Sequence, residues 1–310
     1  MRVVAAAVLA LIIHASLPSG AAPSRPLDGW QAAAGPETRL RGGMFEASGA
    51  AHVPDAQGIL FVDDDRTREV MWLPFGPDGR AEPPQRVRLT SEVVDPEGMT
   101  FDGRYHYLVG SQSKRTGSRG DGLVRFLFNA QTRRAEQVES IRALRAFLGT
   151  HVAQLAGVER QTGDRSLNIE AIAWDPAGER WLLGLRAPLV NGRALVVPLA
   201  LSDRNAGFTA ANLRVPGGRA IELALEGAGI RSLEFDPGIG AFRLITGAAM
   251  NEELLAFRLF TWRGPRDSTP PALQKVFPAG TKPEGITRLL INGVSRTVVV
   301  YDGSGYLLLD

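Results

Sequence analysis

The sequence contains no cysteine. Disulfide frameworks, zinc ribbons, thiol nucleophiles, dithiol redox chemistry and lipidation at a cysteine are therefore excluded. Lysine is scarce too, with only Lys114, Lys275 and Lys282 among 35 basic residues, so the cationic side chains are nearly all arginine. They are balanced by 33 acidic residues to a formal charge of +2. No basic stripe with interleaved aromatics occurs, and that absence excludes a nucleic-acid partner. Long apolar runs are also lacking. The one candidate, Val3 to Ile13, follows Arg2 and precedes Pro18-Ser19-Gly20-Ala21. It is well short of the roughly 20 residues that span a bilayer, and its flanks are those of a signal peptide. The expectation is a leader over residues 1–21 cut after Ala21, then a single soluble domain over 22–310 with no transmembrane segment, periplasmic or secreted.

What is present reads as a globular chain, 44% hydrophobic and 22% charged. Short apolar segments bounded by turn residues dominate: Ile59 to Val62, Val70 to Phe75, Tyr105 to Val109, Leu123 to Phe128, Trp181 to Leu185, Ala194 to Leu199, Phe242 to Thr246 and Thr297 to Tyr301. Asp78-Gly79, Asp102-Gly103, Asn191-Gly192 and Asn292-Gly293 suit tight hairpins, because these residues tolerate positive φ. Only Ser140 to His151 has a helical pattern, with Ile141, Leu144, Phe147 and Leu148 on one face and Ser140 as its cap.

Self-similarity organises the strands. Pro96-Glu97-Gly98-Met99-Thr100 recurs as Pro283-Glu284-Gly285-Ile286-Thr287, and Glu170-Ala171-Ile172 and Arg231-Ser232-Leu233 are weaker copies. With Ser48-Gly49-Ala50 they align into five units separated by 49, 73, 61 and 53 residues. The second position is always small and the third always apolar. A β-propeller explains this, because the innermost strands of its blades crowd around a central channel; a sandwich gives no reason for such a triplet. The fold expected is all-β, a propeller of five four-stranded blades with one helical insert. The last unit offers only three strands, so an N-terminal strand near Thr38 to Arg41 should complete it. A sixth blade is the alternative, hidden in the 73-residue interval.

Asn168-Ile169-Glu170-Ala171-Ile172-Ala173-Trp174, Leu183-Gly184-Leu185-Arg186-Ala187-Pro188-Leu189 and Gly229-Ile230-Arg231-Ser232-Leu233-Glu234, with Asp95-Pro96-Glu97-Gly98 and Lys282-Pro283-Glu284-Gly285-Ile286, resemble the bacterial secreted family called domain of unknown function 3616, over about residues 40 to 310. Ala171 stands where that family often has Gly. The resemblance brings no established activity. More remotely, the repeated Pro-Glu-Gly is similar to phytase-like esterase propellers and to calcium-dependent lactonase and phosphotriesterase propellers, which implies a propeller and suggests a metal-assisted hydrolase.

In a hairpin the second strand ends beside the start of the first. Asp63, Asp64, Ser111, Gln112, Arg186 and Asp302 should therefore share one channel mouth with Glu97, Glu170, Glu284 and Arg231. Converging carboxylates repel one another and resist burial as ions. Either Arg186 and Arg231 neutralise them, or Glu97, Glu170 and Glu284 hold a metal such as Ca²⁺. Zinc is disfavoured, since His52, His106 and His151 lie in unrelated contexts. In a hydrolase, a carboxylate-bound metal would activate water on a phosphoester, ester or lactone. Arg186, Arg231, Ser111, Gln112, Asp63 and Asp302 would then hold a small anionic ligand. The alternative is a non-catalytic scaffold for a protein partner, its charged ring purely structural. Ser111 to Lys114 has the spacing of a Ser-x-x-Lys nucleophile but lacks the companion motifs. Asp63-Asp64-Asp65 reads as a solvated hairpin exit, and Trp174 and Trp181 as blade core.

Overall fold

A computed structural model of the protein describes residues 38–113, 122–161, 166–249 and 255–309. The expected leader and Lys114 lie outside them. Alternating apolar segments pair into five antiparallel sheets. Their innermost strands are Ala47–His52, Pro96–Phe101, Asn168–Asp175, Gly229–Asp236 and Pro283–Ile291, which open blades one to five. Each inner strand packs on the next in sequence and the fifth packs on the first, so the ring is closed.

The last blade takes three strands from the C-terminal part of the chain, Pro283–Ile291, Val294–Tyr301 and Gly305–Leu309. Its fourth is Thr38–Arg39, with Thr38 opposite Tyr306 and Arg39 opposite Gly305. The Leu40 amide continues the clasp by donating to the Ser304 carbonyl. Pairing the edge of the last sheet in this way covers backbone groups that would otherwise invite association. Among the described residues the 73-residue interval holds no sixth blade; beyond the remaining strands of blade two it contains a helix, Leu144–His151, and 3₁₀ turns at Ala153–Leu155 and Val158–Arg160. Ser140 does not cap that helix. It lies opposite Val124 in the outer strand of blade two, and left-handed Ala143 (φ 59°) starts the helix without a side-chain cap. Blade three departs from four strands, because its third, Ala194–Leu201, pairs with Leu213–Arg214 at one end and Ile221–Leu223 at the other.

The core is partitioned between blades, because the apolar faces of neighbouring sheets have only each other to pack against. Phe61, Phe75 and Tyr306 lie between blades one and five, and Leu60, Trp72, Leu108 and Phe126 between one and two. Leu144 and Leu148 of the helix join Tyr107, Trp181 and Leu183 between two and three. Burying each such side chain contributes about 1.5–3 kcal/mol. Trp174 and Trp181 meet edge to face at 6.0 Å, as blade core. Asn191-Gly192 and Asn292-Gly293 both place two successive residues at positive φ, the mirror-type turn that matches strand twist.

The small second position of the repeat is explained at the axis. A Cβ on Gly285 would lie 2.1 Å from the Ser48 carbonyl oxygen, and one on Gly49 2.4 Å from that of Glu97. These neighbours are backbone and cannot rotate away. Ser232 uses its small size differently, accepting a bond from the Ile286 amide at 3.0 Å. Gly285→Ala should therefore cost about 1–3 kcal/mol by forcing blades one and five apart; a thermal midpoint equal to wild type would contradict the crowding argument.

Candidate functional site

All five inner strands slip register against their neighbours at one place, leaving Ser48-Gly49, Glu97, Glu170, Arg231 and Glu284 at a β-bulge. In blade three, Ile169 faces Leu185 and Ala171 faces Gly184, so Glu170 has no opposite residue. A second shift there leaves out Arg186. Bulges re-aim side chains that a regular pleat would direct between the sheets. Glu97, Arg231, Glu284 and Arg186 thereby line one mouth of the channel, around a cavity of about 680 Å³. Glu170 is buried beside them.

Glu170 is the hub. Its Oε1 accepts from Arg186 Nη1 at 3.1 Å and Asn168 Nδ2 at 3.0 Å, and its Oε2 accepts from Arg231 Nη1 at 2.5 Å. Arg231 Nη1 is also 3.5 Å from Glu284 Oε1, and its guanidinium lies 5.4 Å from the centre of the Phe257 ring. Arg186 Nε donates to the Ala248 carbonyl at 3.2 Å. Across the mouth, Lys282 Nζ donates to Asp302 at 2.6 Å. Arg186, Arg231 and Lys282 thus each have a carboxylate partner. Among the described residues Asp64 and Glu97 make no ion pair within 4.0 Å.

That imbalance sets the protonation states. Burial pushes the Glu97 carboxyl well above its usual range, and the charges of Glu170, Asp95 and Glu284 push further, with the Ser48 hydroxyl opposing the rise. Burial also raises Glu284, to about 7; Arg231 opposes the rise, while Glu170 and Asp302 favour it. Asp64 reaches about 7 through burial, a hydrogen bond with Glu46 and the charges of Glu46, Asp65 and Asp95. Arg231 is held more firmly cationic than usual, because its carboxylate neighbours outweigh the cost of burial.

Of the residues expected at this mouth, Glu97, Glu284, Arg186, Arg231, Asp302 and Asp64 line the cavity. Three others reach the same end of the propeller but are captured locally. The Asp63 carboxylate is buried and accepts from Arg66 Nε at 2.9 Å. Ser111 bonds to Asp95 and contacts Ser113 Oγ at 2.8 Å, and Gln112 turns back to the Gly110 carbonyl. The three glutamates do not bring three carboxylate oxygens within 4.8 Å of one another. Among the described residues the only acidic trio with oxygens inside 4.8 Å is Glu46, Asp64 and Asp65 at the rim. Glu170 meanwhile has both oxygens occupied by guanidinium groups. The same pairing engages the guanidinium groups of Arg186 and Arg231. His52 and His106 are structural: both are buried, His106 Nε2 lies 3.0 Å from the His52 carbonyl, and burial lowers both to about 4.

Of the cavity residues that were not expected there, Lys282 brings a charge and Phe257 an aromatic ring. Lys282 stands directly before the repeated Pro-Glu, where blade two has Asp95, so the alignment contained the signal. Phe257 lies in a loop of blade four, outside the repeat, and has no such signal.

Residues 129–305 match the sequence profile of the family described as Protein of unknown function (DUF3616). The chain belongs to that family. The match runs from the end of blade two's third strand into blade five, so the Asp95-to-Gly98 motif lies outside it. Comparison with curated proteins finds no match. Similar solved structures include the periplasmic gluconolactonase PpgL of Pseudomonas aeruginosa, 15% identical over 83% of this chain and 65% of that one, with a TM-score of 0.40. A glucose dehydrogenase is 12% identical over 89% of this chain and 99% of that one, with a TM-score of 0.48. The soluble aldose sugar dehydrogenase of Escherichia coli, in its apo-form, is 10% identical over 86% and 95%, with a TM-score of 0.47. The chain thus spans 65% of the length of the gluconolactonase, and the activities in these names are those proteins' own.

Proposed function

We propose that this DUF3616 propeller is exported and binds a small molecule at its charged channel mouth. The observation that carries the reading is the cavity itself: about 680 Å³, lined by bulge residues whose charges are unevenly matched. Pockets of this size with a few convergent polar groups suit small ligands. The scaffold reading has less support. Of the five large apolar residues exposed among the described ones, Met44, Val294 and the blade-four residues Ile239, Leu273 and Val276, none lines the charged cavity, so the mouth itself offers no exposed apolar docking face. Export rests on the Arg2 to Ala21 pattern; no described helix is long and apolar enough to cross a membrane.

Hydrolysis is a second reading, favoured by Glu284. A carboxyl that titrates near 7 beside an arginine is poised for general acid–base work. It needs no metal bound by the three glutamates.

The test uses protein recovered from the exported fraction, whose N-terminal mass should show removal of residues 1–21. A panel of lactones, phosphoesters, simple esters and divalent cations is then screened for thermal stabilisation and turnover. Binding that disappears in Glu284→Gln supports the mouth as the site. A panel whose every hit is indifferent to Glu284→Gln and Lys282→Ala would overturn it.

A further inference from the structure

The cavity has two chemically different walls. On one, Ala248, Leu255, Phe257 and Pro278 present apolar surface from blade four and the connection into blade five. On the other, Asp64 and Glu97 face the opening from blades one and two. Each cation at the mouth already has a carboxylate: Arg186 has Glu170, Arg231 has Glu170 and Glu284, and Lys282 has Asp302. An anionic ligand would have to break one of these pairs, leaving a carboxylate uncompensated in a poorly solvated place. A cationic group would instead meet Asp64 and Glu97, neither of which makes an ion pair with a described residue, and would relieve the repulsion of Asp64 by Glu46, Asp65 and Asp95 and of Glu97 by Glu170, Asp95 and Glu284.

We infer that the mouth takes a small organic cation, an amine or quaternary ammonium on an apolar or ring-bearing body, with the charge between Asp64 and Glu97 and the body against Phe257 and Pro278. A bare metal ion would use the carboxylates but leave the apolar wall without a role. This inference rests on the small-molecule reading above and commits it to one ligand charge.

Three probes of one shape and different charge test it: phenethylammonium, 2-phenylethanol and phenylacetate. Each is titrated calorimetrically into the purified protein at pH 7.5. Phenethylammonium should bind at least tenfold more tightly than phenylacetate, with the alcohol between them. Asp64→Asn should weaken the amine at least tenfold and leave the alcohol unchanged, and Phe257→Ala should weaken both. Phenylacetate binding as tightly as the amine, or an amine affinity indifferent to Asp64→Asn, would overturn the inference while leaving a small-molecule site in place. Failure of the amine to bind overturns it as well. If the wider panel also yields nothing sensitive to the mouth substitutions, the binding reading falls with it.

Discussion

Replacing Glu170 by Gln lowers the thermal midpoint by on the order of 10 °C. Glu170 is buried and is the shared acceptor of Arg186 and Arg231. The amide keeps the shape but removes the charge, and turns an N–H donor toward one of two guanidinium donors. Breaking a buried ion pair on one side typically costs about 3–5 kcal/mol, because the remaining charge is stranded. At about 2–4 °C per kcal/mol for a chain of a few hundred residues, that is a large loss. Glu284 softens it only in part, being 3.5 Å from Arg231 Nη1. Unfolding followed by circular dichroism checks the value, and a fall under about 2 °C would mean that the hub is not holding the ring.

The same substitution at the equivalent position of the neighbouring blade has the opposite sign. Glu97→Gln raises the midpoint at pH 8, by about 2–4 °C if about 1 kcal/mol is gained. Glu97 occupies the equivalent bulge position to Glu170, but it makes no ion pair, and the charges of Glu170, Asp95 and Glu284 all push its carboxyl up. Its carboxyl is raised in the folded protein, so above the unfolded value near 4.5 the native state binds more protons than the unfolded one. Stability from this group is then lost as pH rises toward the folded pKa. Glu284 and Asp64, both at about 7, and the buried Glu234, at about 8, act in the same direction. His52 and His106, lowered to about 4, act in reverse between about 4 and 6.5, where acid favours the unfolded state. Above pH 6.5 only the carboxyls remain, so the wild-type midpoint should fall from pH 6.5 to 8 and the Glu97→Gln variant should fall less. A midpoint lower than wild type at pH 8 would instead place a cation against Glu97.

The two substitutions separate what a linear reading reaches from what it does not. Alternation, hairpin signals and the repeated triplet are local properties, and they were enough for the five blades, the N-terminal closing strand and the position of the helical insert. They were also enough to bring Glu97, Glu170, Glu284, Arg186 and Arg231 to one mouth, because equivalent positions in a closed ring must share a height. Smallness at Gly49, Gly98 and Gly285 was legible for the same reason: backbone crowding at an axis constrains every blade alike.

The division of roles within that ring was not legible. Glu97 and Glu170 have the same residue type at the same repeat position, and no pattern in either segment tells which receives two arginines and which receives none. That depends on Arg186 from the second strand of blade three and Arg231 from blade four, both aimed by bulges that periodicity does not encode. The capture of Asp63 by Arg66 and of Ser111 by Asp95 likewise follows from side-chain reach at strand ends. Composition and repeat thus determined the propeller and the position of its charged mouth, since both follow from patterns along the chain. Tertiary structure alone decided which charges are matched, because ion pairing depends on distances of 3–4 Å between blades, far finer than the strand spacing that a sequence pattern can specify.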